Sequence, residues 1–151
     1  MVHFKNKTKN HLQPYYPLMR RILSEILEDN DLDPKTNQFS VVFSSDLELS
    51  RLNSHFREIN GPTDVLAFPS DEEEPESGNK YLGDIVISMD QVNKQQELFN
   101  DNEMSIIFLL VVHGTLHLLG YDHDTKLEKK KMWDQQTFYL SMNNISVKIP
   151  E

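Results

Sequence analysis

Three histidines in the last third of the chain have the spacing of a metal centre. They lie in the stretch HGTLHLLGYDH, where His113 and His117 are four residues apart. Residues with this separation share one face of a helix, so both imidazoles project to the same side. Gly120 follows, and glycine adopts the left-handed backbone that ends a helix and turns the chain back, here toward His123. Three imidazoles at one point suit zinc or another divalent transition metal.

The available ligands predict that one coordination position stays open. The chain has no cysteine, and its other histidines are scattered, at His3, His11 and His55. A structural zinc site takes four protein ligands, whereas a catalytic site keeps one position for water or substrate. We therefore expect a single ion, most simply Zn²⁺, held by the three clustered histidines with a vacancy for a reactant.

The pattern departs from that of zinc proteases at one residue. Metzincins have the pattern H-E-x-x-H-x-x-G-x-x-H, in which the glutamate acts as the base. Gly114 stands at the glutamate position, and Glu103 is several helical turns away. The substitution argues against peptide hydrolysis. Because a glycine inside a helix costs roughly 1 kcal/mol relative to alanine, Gly114 indicates close approach, either by a substrate or by a neighbouring strand.

The elements that must position these residues are helices mixed with strands. Apolar spacing predicts four helices, over residues 17–30, over 45–56 with Ser45 or Asp46 as the cap, from Asn102 or Glu103 to Leu119, and from near Asp124 to about Ser141. Runs of β-branched and aromatic residues predict strands over 38–44, 64–68 and 81–88.

The remaining segments refine this outline. Asp90 is expected to cap a helix that follows the third strand, and the acidic stretch SDEEEPESGNK (residues 70–80) is expected to be a mobile, solvated loop. The order lacks regular βαβ alternation and a glycine-rich phosphate loop. We therefore expect one α+β domain over residues 1–151.

Composition restricts function and location. A net charge of −9 and a pI near 5.1 argue against a protein that binds nucleic acid by bulk attraction. Basic residues do concentrate before Glu25 and in KLEKKK (residues 126–131), and each group fits either a phosphate track or an ordinary solvated face. No segment resembles a signal peptide or reaches the ~20 apolar residues of a membrane span. A chain without cysteine has no disulfides that would need an oxidising compartment, and we expect a cytoplasmic protein.

Two further segments carry a resemblance to a known family. LNSHFREINGPTDVLAFP (residues 52–69) and GDIVIS (residues 83–88) accompany the histidine stretch in that order. They resemble the L-N-x-x-[YF]-R…P-T-D-V-L-S-F-P and G-D-I-x-I-S segments of the YbeY family, bacterial metal-dependent endoribonucleases linked to ribosomal RNA maturation. Ala67 replaces the usual serine, and Gln136 stands where an acidic residue is common.

The resemblance implies a mixed sheet packed against helices, with a zincin-like three-histidine metal site. It implies a single-strand-specific endoribonuclease that hydrolyses phosphodiester bonds of ribosomal RNA with a metal-activated water. It also implies catalytic roles for Arg57, His113 and His117. The partners would be RNA and the small ribosomal subunit or its assembly factors, with DNA not a substrate. From the residues alone, Arg57 fits either a phosphate contact or a surface ion pair, and either water or the neighbouring 2′-OH fits as the nucleophile.

Other interpretations of these residues stay open. One is a different metal-dependent hydrolase, including a peptidase, and another is a non-catalytic ribosome assembly factor with a structural metal. Asp84 and Asp122 fit either the orientation of an imidazole or ordinary strand-end and turn roles. Thr63 and Asp64 fit a brace for their turn better than they fit a role in chemistry.

Overall fold

The structure, a computed structural model, describes residues 1–57 and 63–148, and the side chains of residues 1–54 and 63–148. Within these residues the chain forms four strands and five helices. The strands are β1 (Val2–Asn6), β2 (Asn37–Ser44), β3 (Val65–Glu73) and β4 (Lys80–Ser88). The helices are α1 (Tyr16–Asp29), α2 (Asp46–Arg57), α3 (Met89–Phe99), α4 (Glu103–Leu118) and α5 (Lys126–Met142).

The strands form one mixed sheet in the order β1-β2-β4-β3. β1 pairs with β2 and β2 with β4 in parallel, whereas β3 runs antiparallel to β4. In the register, Val41 of β2 and Ala67 of β3 both lie beside Ile85 of β4. This mixed sheet with helices confirms the predicted α+β class.

α4 is the central helix of the core, as its apolar sequence predicts. It contacts α1, α3, α5, β3 and β4, so nearly every side of it needs an apolar side chain. Asn102 caps its first turn, because the side chain accepts a hydrogen bond from the N–H of Ser105 at 2.7 Å. The face of the sheet that packs against α4 carries five buried apolar side chains from β2 and β4: Phe39, Val41, Phe43, Ile85 and Ile87.

Two segments differ from the sequence prediction. The first residues form strand β1, where no strand was predicted, because Val2 packs into the core and the backbone pairs with β2. β3 continues beyond Pro69 through the first four residues of the acidic stretch (70–73), so the loop prediction was wrong there. After an irregularity in register, Glu72 and Glu73 pair with β4. Main-chain hydrogen bonds, which do not depend on side-chain polarity, supply this order.

The predicted cap of α3 was also wrong. Ser88 caps the helix, since its hydroxyl accepts the N–H of Gln91 at 3.2 Å. Asp90 instead accepts the backbone N–H of Asp46 at 2.8 Å and so fastens the start of α2. Among the residues that the structure describes, no helix has the length and hydrophobicity to cross a bilayer.

Candidate metal centre

The end of α4 and the turn after it bring the three histidines together. His113 and His117 lie on the last turns of the helix. Gly120 then has a φ of +96°, as predicted, and the N–H of Tyr121 donates to the carbonyl of Leu116 at 3.0 Å. Nothing lies within 4 Å of the position that a Cβ on Gly120 would occupy. The backbone angle, and not crowding, is therefore what requires glycine there.

The ring nitrogens converge closely enough to share one ion. Nε2 of His113 and Nε2 of His117 are 3.1 Å apart, and one ligand atom from each of the three rings lies within 4.8 Å of the others. Two nitrogens bound to one tetrahedral zinc, each at about 2.0–2.1 Å, would lie roughly 3.3 Å apart. The first pair already has nearly that spacing, and His123 comes from the exposed side. The donor set therefore fits a metal ion.

A buried glutamine on α5 orients the first ligand. Nδ1 of His113 lies 2.6 Å from Oε1 of Gln136, and because a carbonyl oxygen only accepts, Nδ1 must carry the proton. This tautomer leaves the lone pair on Nε2, which faces His117. Gln136 is only 4 % exposed, so the pair is shielded from competing water. Such a partner behind a histidine is the usual support of a metal ligand.

Burial keeps two of the rings neutral. Desolvation, followed by repulsion from His113 and His123, lowers the pKa of His117 to about 4. Desolvation also lowers the pKa of His113, against opposing effects of Gln136 and the negative charge of Asp64. Neutral imidazole is the form that binds metal. At neutral pH these two rings would therefore not have to lose a proton before binding an ion.

The sheet explains the glycine inside α4. A Cβ on Gly114 would lie 2.7 Å from Cγ2 of Ile85, so β4 approaches the helix too closely for a side chain. Of the two interpretations of Gly114, packing against a neighbouring strand is therefore the one that the structure supports. A glutamate at this position would meet Ile85 and the sheet.

A cavity of about 190 Å³ adjoins the histidines. Its walls come from the start of β3, from α4 and from α5, and they consist of Asp64, Val65, Leu109, Leu110, His113, His123, Lys129, Met132, Trp133 and Gln136. The contribution of α5 was not predicted from the sequence. Its four lining residues follow the i, i+3, i+4, i+7 spacing of one helical face, so the signal was present.

The other candidate residues have separate positions. The carbonyl of Asp64 accepts from the N–H of Ser88 at 2.9 Å, and its carboxylate accepts from Gln95 at 3.1 Å, which is a bracing role. Asp64 nevertheless lines the cavity. Asp122 accepts the N–H of His123 at 2.8 Å, so it shapes the turn. The side chain of Arg57 lies outside the described residues, and its role stays a prediction.

Asp84 lies away from the centre. Its neighbour Ile85 faces α4, and alternate residues of a strand point to opposite faces. On the outer face, Asp84 accepts the hydrogen bond that the hydroxyl of Tyr81 donates, and the Ser40 hydroxyl lies 2.9 Å from the same Tyr81 oxygen. Asp84 therefore does not orient an imidazole.

The fold and the centre define an α+β protein whose central helix ends in a three-histidine group able to hold a metal ion. A sequence model of the YbeY family, described as Endoribonuclease YbeY, matches residues 2–144. The chain belongs to this family, as the resemblance predicted.

Individual relatives agree with this assignment. The Endoribonuclease YbeY of Acholeplasma laidlawii is 33% identical over 144 residues, which cover 95% of this chain and 97% of the relative. The protein of the same name from Halalkalibacterium halodurans is 38% identical over 127 residues, covering 79% and 80% of the two chains. The solution structure of TM1509 from Thermotoga maritima has a TM-score of 0.63 at 26% identity, covering 95% of this chain and 92% of that one.

Proposed function

We propose that this protein is a metal-dependent endoribonuclease that cleaves single-stranded ribosomal RNA during ribosome maturation in the cytoplasm. The convergence of three ring nitrogens within 4.8 Å carries the proposal, and the name shared by its relatives supplies the substrate class. Residues 1–151 would act as one domain, and the small ribosomal subunit or its assembly factors would be the partner.

The three histidines would hold one divalent ion, with Zn²⁺ as our first choice because of its preference for imidazole. When bound, such an ion supplies Lewis acidity and makes water a nucleophile near neutral pH. The chain's own contribution is orientation. Gln136 fixes the tautomer of His113, and the turn at Gly120 delivers His123.

Arg57 is the proposed phosphate partner. A guanidinium offers paired N–H donors that match two phosphate oxygens and would stabilise the charge that accumulates during cleavage. The backbone places Arg57 at the last residue of α2. Its contribution is to bind and neutralise the scissile phosphate, whichever of water or the 2′-OH attacks.

The position of Gly114 favours RNA over peptide as the substrate. A side chain there would meet Ile85, so α4 has no room for the glutamate base that zinc proteases carry at this position. Phosphodiester cleavage has less need of that group, because the substrate phosphate itself can accept a proton.

A substrate panel tests the proposal. The chelated protein, with and without added Zn²⁺ or Mn²⁺, would be incubated with single-stranded RNA, duplex RNA, DNA of the same sequence and casein. We expect only the single-stranded RNA to be cleaved, and only after metal is added. His113→Ala should be inactive, whereas His11→Ala, which changes an exposed histidine outside the centre, should match the parent protein. Cleavage of casein alone, or full RNA cleavage by metal-free His113→Ala, would refute the proposal.

A further inference from the structure

The cavity beside the histidines has mainly apolar walls. Its apolar walls come from three different elements: Val65 from β3, Leu109 and Leu110 from α4, and Met132 and Trp133 from α5. Leu109, Leu110 and Met132 are each less than 10% exposed. Trp133 is half-buried, so the indole forms a wall that solvent and a ligand can both reach.

Polar groups mark the edge of the same cavity. Lys129 lies one turn before Trp133 on α5 and is exposed, and Asp64, the residue just before β3, also lines the cavity. His113, His123 and Gln136 complete the lining. A ligand in the cavity would therefore have an apolar surface to pack against, a cation for a phosphate, a carboxylate for an amino group, and the candidate metal centre directly beside it.

We propose that this cavity holds one unstacked nucleobase of the RNA, next to the phosphate that is cleaved, with Trp133 as its stacking partner. The proposal rests on the proposed function and specifies how the strand is held. Aromatic side chains are the usual platforms for bases of single strands. The Asp64 carboxylate can accept from an exocyclic amino group, and Lys129 can contact the adjoining phosphate.

This placement gives a physical reason for single-strand specificity. A base in a duplex is stacked and paired, and moving it into a cavity costs a few kcal/mol of stacking and pairing free energy. A base in a single strand is released from most of that cost. The specificity would then come from Trp133 and the apolar walls, with no need for the acidic protein to bind RNA tightly through bulk charge.

The composition of the chain offers a direct readout, because Trp133 is its single tryptophan. Chelated protein, which should not cleave, would be titrated with a short single-stranded oligoribonucleotide, with its duplex, and with a strand in which abasic residues replace the bases. Tryptophan emission should be quenched in a saturable way by the single strand. Affinity should be about tenfold or more lower for the duplex and for the abasic strand.

Two substitutions separate stacking from folding. Trp133→Phe keeps an aromatic face and should retain most of the RNA affinity measured by fluorescence anisotropy of labelled RNA, whereas Trp133→Leu should lose about tenfold or more. Zinc stoichiometry and the melting temperature of both variants would show whether the fold and centre are intact. If Trp133→Leu fails to fold, the quenching experiment on the unmodified chain still decides.

The possible results divide clearly. Equal affinity for the abasic and ordinary strands, or RNA binding without quenching, would overturn the base site while leaving the nuclease proposal intact. Quenching by an aromatic peptide but not by RNA would also overturn it, in favour of a pocket for a side chain. Absence of RNA cleavage by the zinc-loaded protein, with base-dependent quenching still present, would refute the nuclease proposal and keep the base site.

Discussion

The polar groups on the two sides of the sheet differ in their partners: like groups converge on one side, and complementary groups pair on the other. On the inner side, beside α4, the rings of His113, His117 and His123 face one another. On the outer side, complementary groups are already paired: Lys7 with Glu48 at 2.8 Å, and Tyr81 with the Asp84 carboxylate. The groove on the outer side, whose lining includes Lys7, Glu48 and Asp84, has a volume of about 530 Å³, against about 190 Å³ for the cavity beside the histidines.

The comparison shows that the volume of a concave surface is a poor guide to function here. Paired opposite groups satisfy each other, and the pairing itself accounts for their position. Imidazoles that converge oppose one another's protonation, because a charge on one ring disfavours a charge on the next. A cation bound between the three rings would account for their convergence. The following predictions test this difference between the faces, beginning with the largest effect.

His117→Ala should abolish stoichiometric metal binding, because it removes a ligand from a set of three. His3→Ala should leave metal binding unchanged, because His3 lies on the outer face, where its ring is 3.2 Å from the side chain of Gln38. Elemental analysis after dialysis against trace zinc would measure both. Retention of one zinc per chain by His117→Ala would show that the inner cluster is not the site.

Gln136→Met should weaken metal binding without removing it. The substitution keeps the volume but deletes the oxygen that accepts from His113, and losing such a partner typically costs about 10–100-fold in metal affinity. Competition with a chromogenic chelator at pH 7 gives the constant. Tyr81→Phe, which deletes the outer hydroxyl, is the matched control and should not change it. Equal effects of the two substitutions would contradict the contrast between the faces.

Gly114→Ala should lower the free energy of unfolding by about 1–3 kcal/mol, the range typical of overpacking in a dense core. The new methyl group would meet Ile85 Cγ2, and its better helix propensity offsets only about 1 kcal/mol. Urea denaturation of the metal-free protein measures the change. In a double-mutant cycle with Ile85→Ala, the two losses should be less than additive; strict additivity would mean that the two residues do not collide.

The Lys7–Glu48 pair on the outer face should contribute less to the pH dependence of the free energy of unfolding than His117 does. The two contributions should also change over different pH ranges. The hydrogen bond from Lys7 lowers the pKa of Glu48, so that pair stabilises the fold above the unfolded value near 4.5 and the contribution is lost as the pH falls further. The pKa of His117 is lowered to about 4, so the unfolded chain takes up the proton first, and metal-free stability should decline from about pH 6.5 downward.

Urea midpoints between pH 7.5 and 3.5 would separate the two groups. His117→Leu should flatten the upper part of the profile. Glu48→Gln should change only the acid end, by less than ~1 kcal/mol because the pair is partly exposed, and less still in high salt. A profile that His117→Leu leaves unchanged would contradict the burial of that ring.

Most of the candidate metal centre was predictable from the sequence because its histidines are close together in the chain. His113, His117 and Gly120 belong to one helix and its end, and helical periodicity is readable within a few residues. Gln136 is 23 residues from the histidine that it orients, so only the packing of α5 on α4 shows its role. The same distance concealed the cavity, although the lining face of α5 has a regular spacing.

The fold was predictable where side chains decide the structure, and less so where the backbone does. α1, α2, α4, β2 and β4 have clear apolar patterns, and their bounds agree with the prediction to within a few residues. β1 depends on parallel pairing with a strand more than 30 residues away. The second half of β3 has no apolar pattern that would predict a strand. Its backbone hydrogen bonds to β4 cannot be predicted from amino-acid composition.

The acidic residues of β3 lie along one edge of the sheet. β3 is the last strand in the sheet order, and an open edge of this kind is a template on which another copy could add its own strand. Asp71, Glu72 and Glu73 are exposed along it. Two such edges brought together would place like charges close to one another, so this acidic stretch disfavours edge-to-edge pairing between copies of the chain.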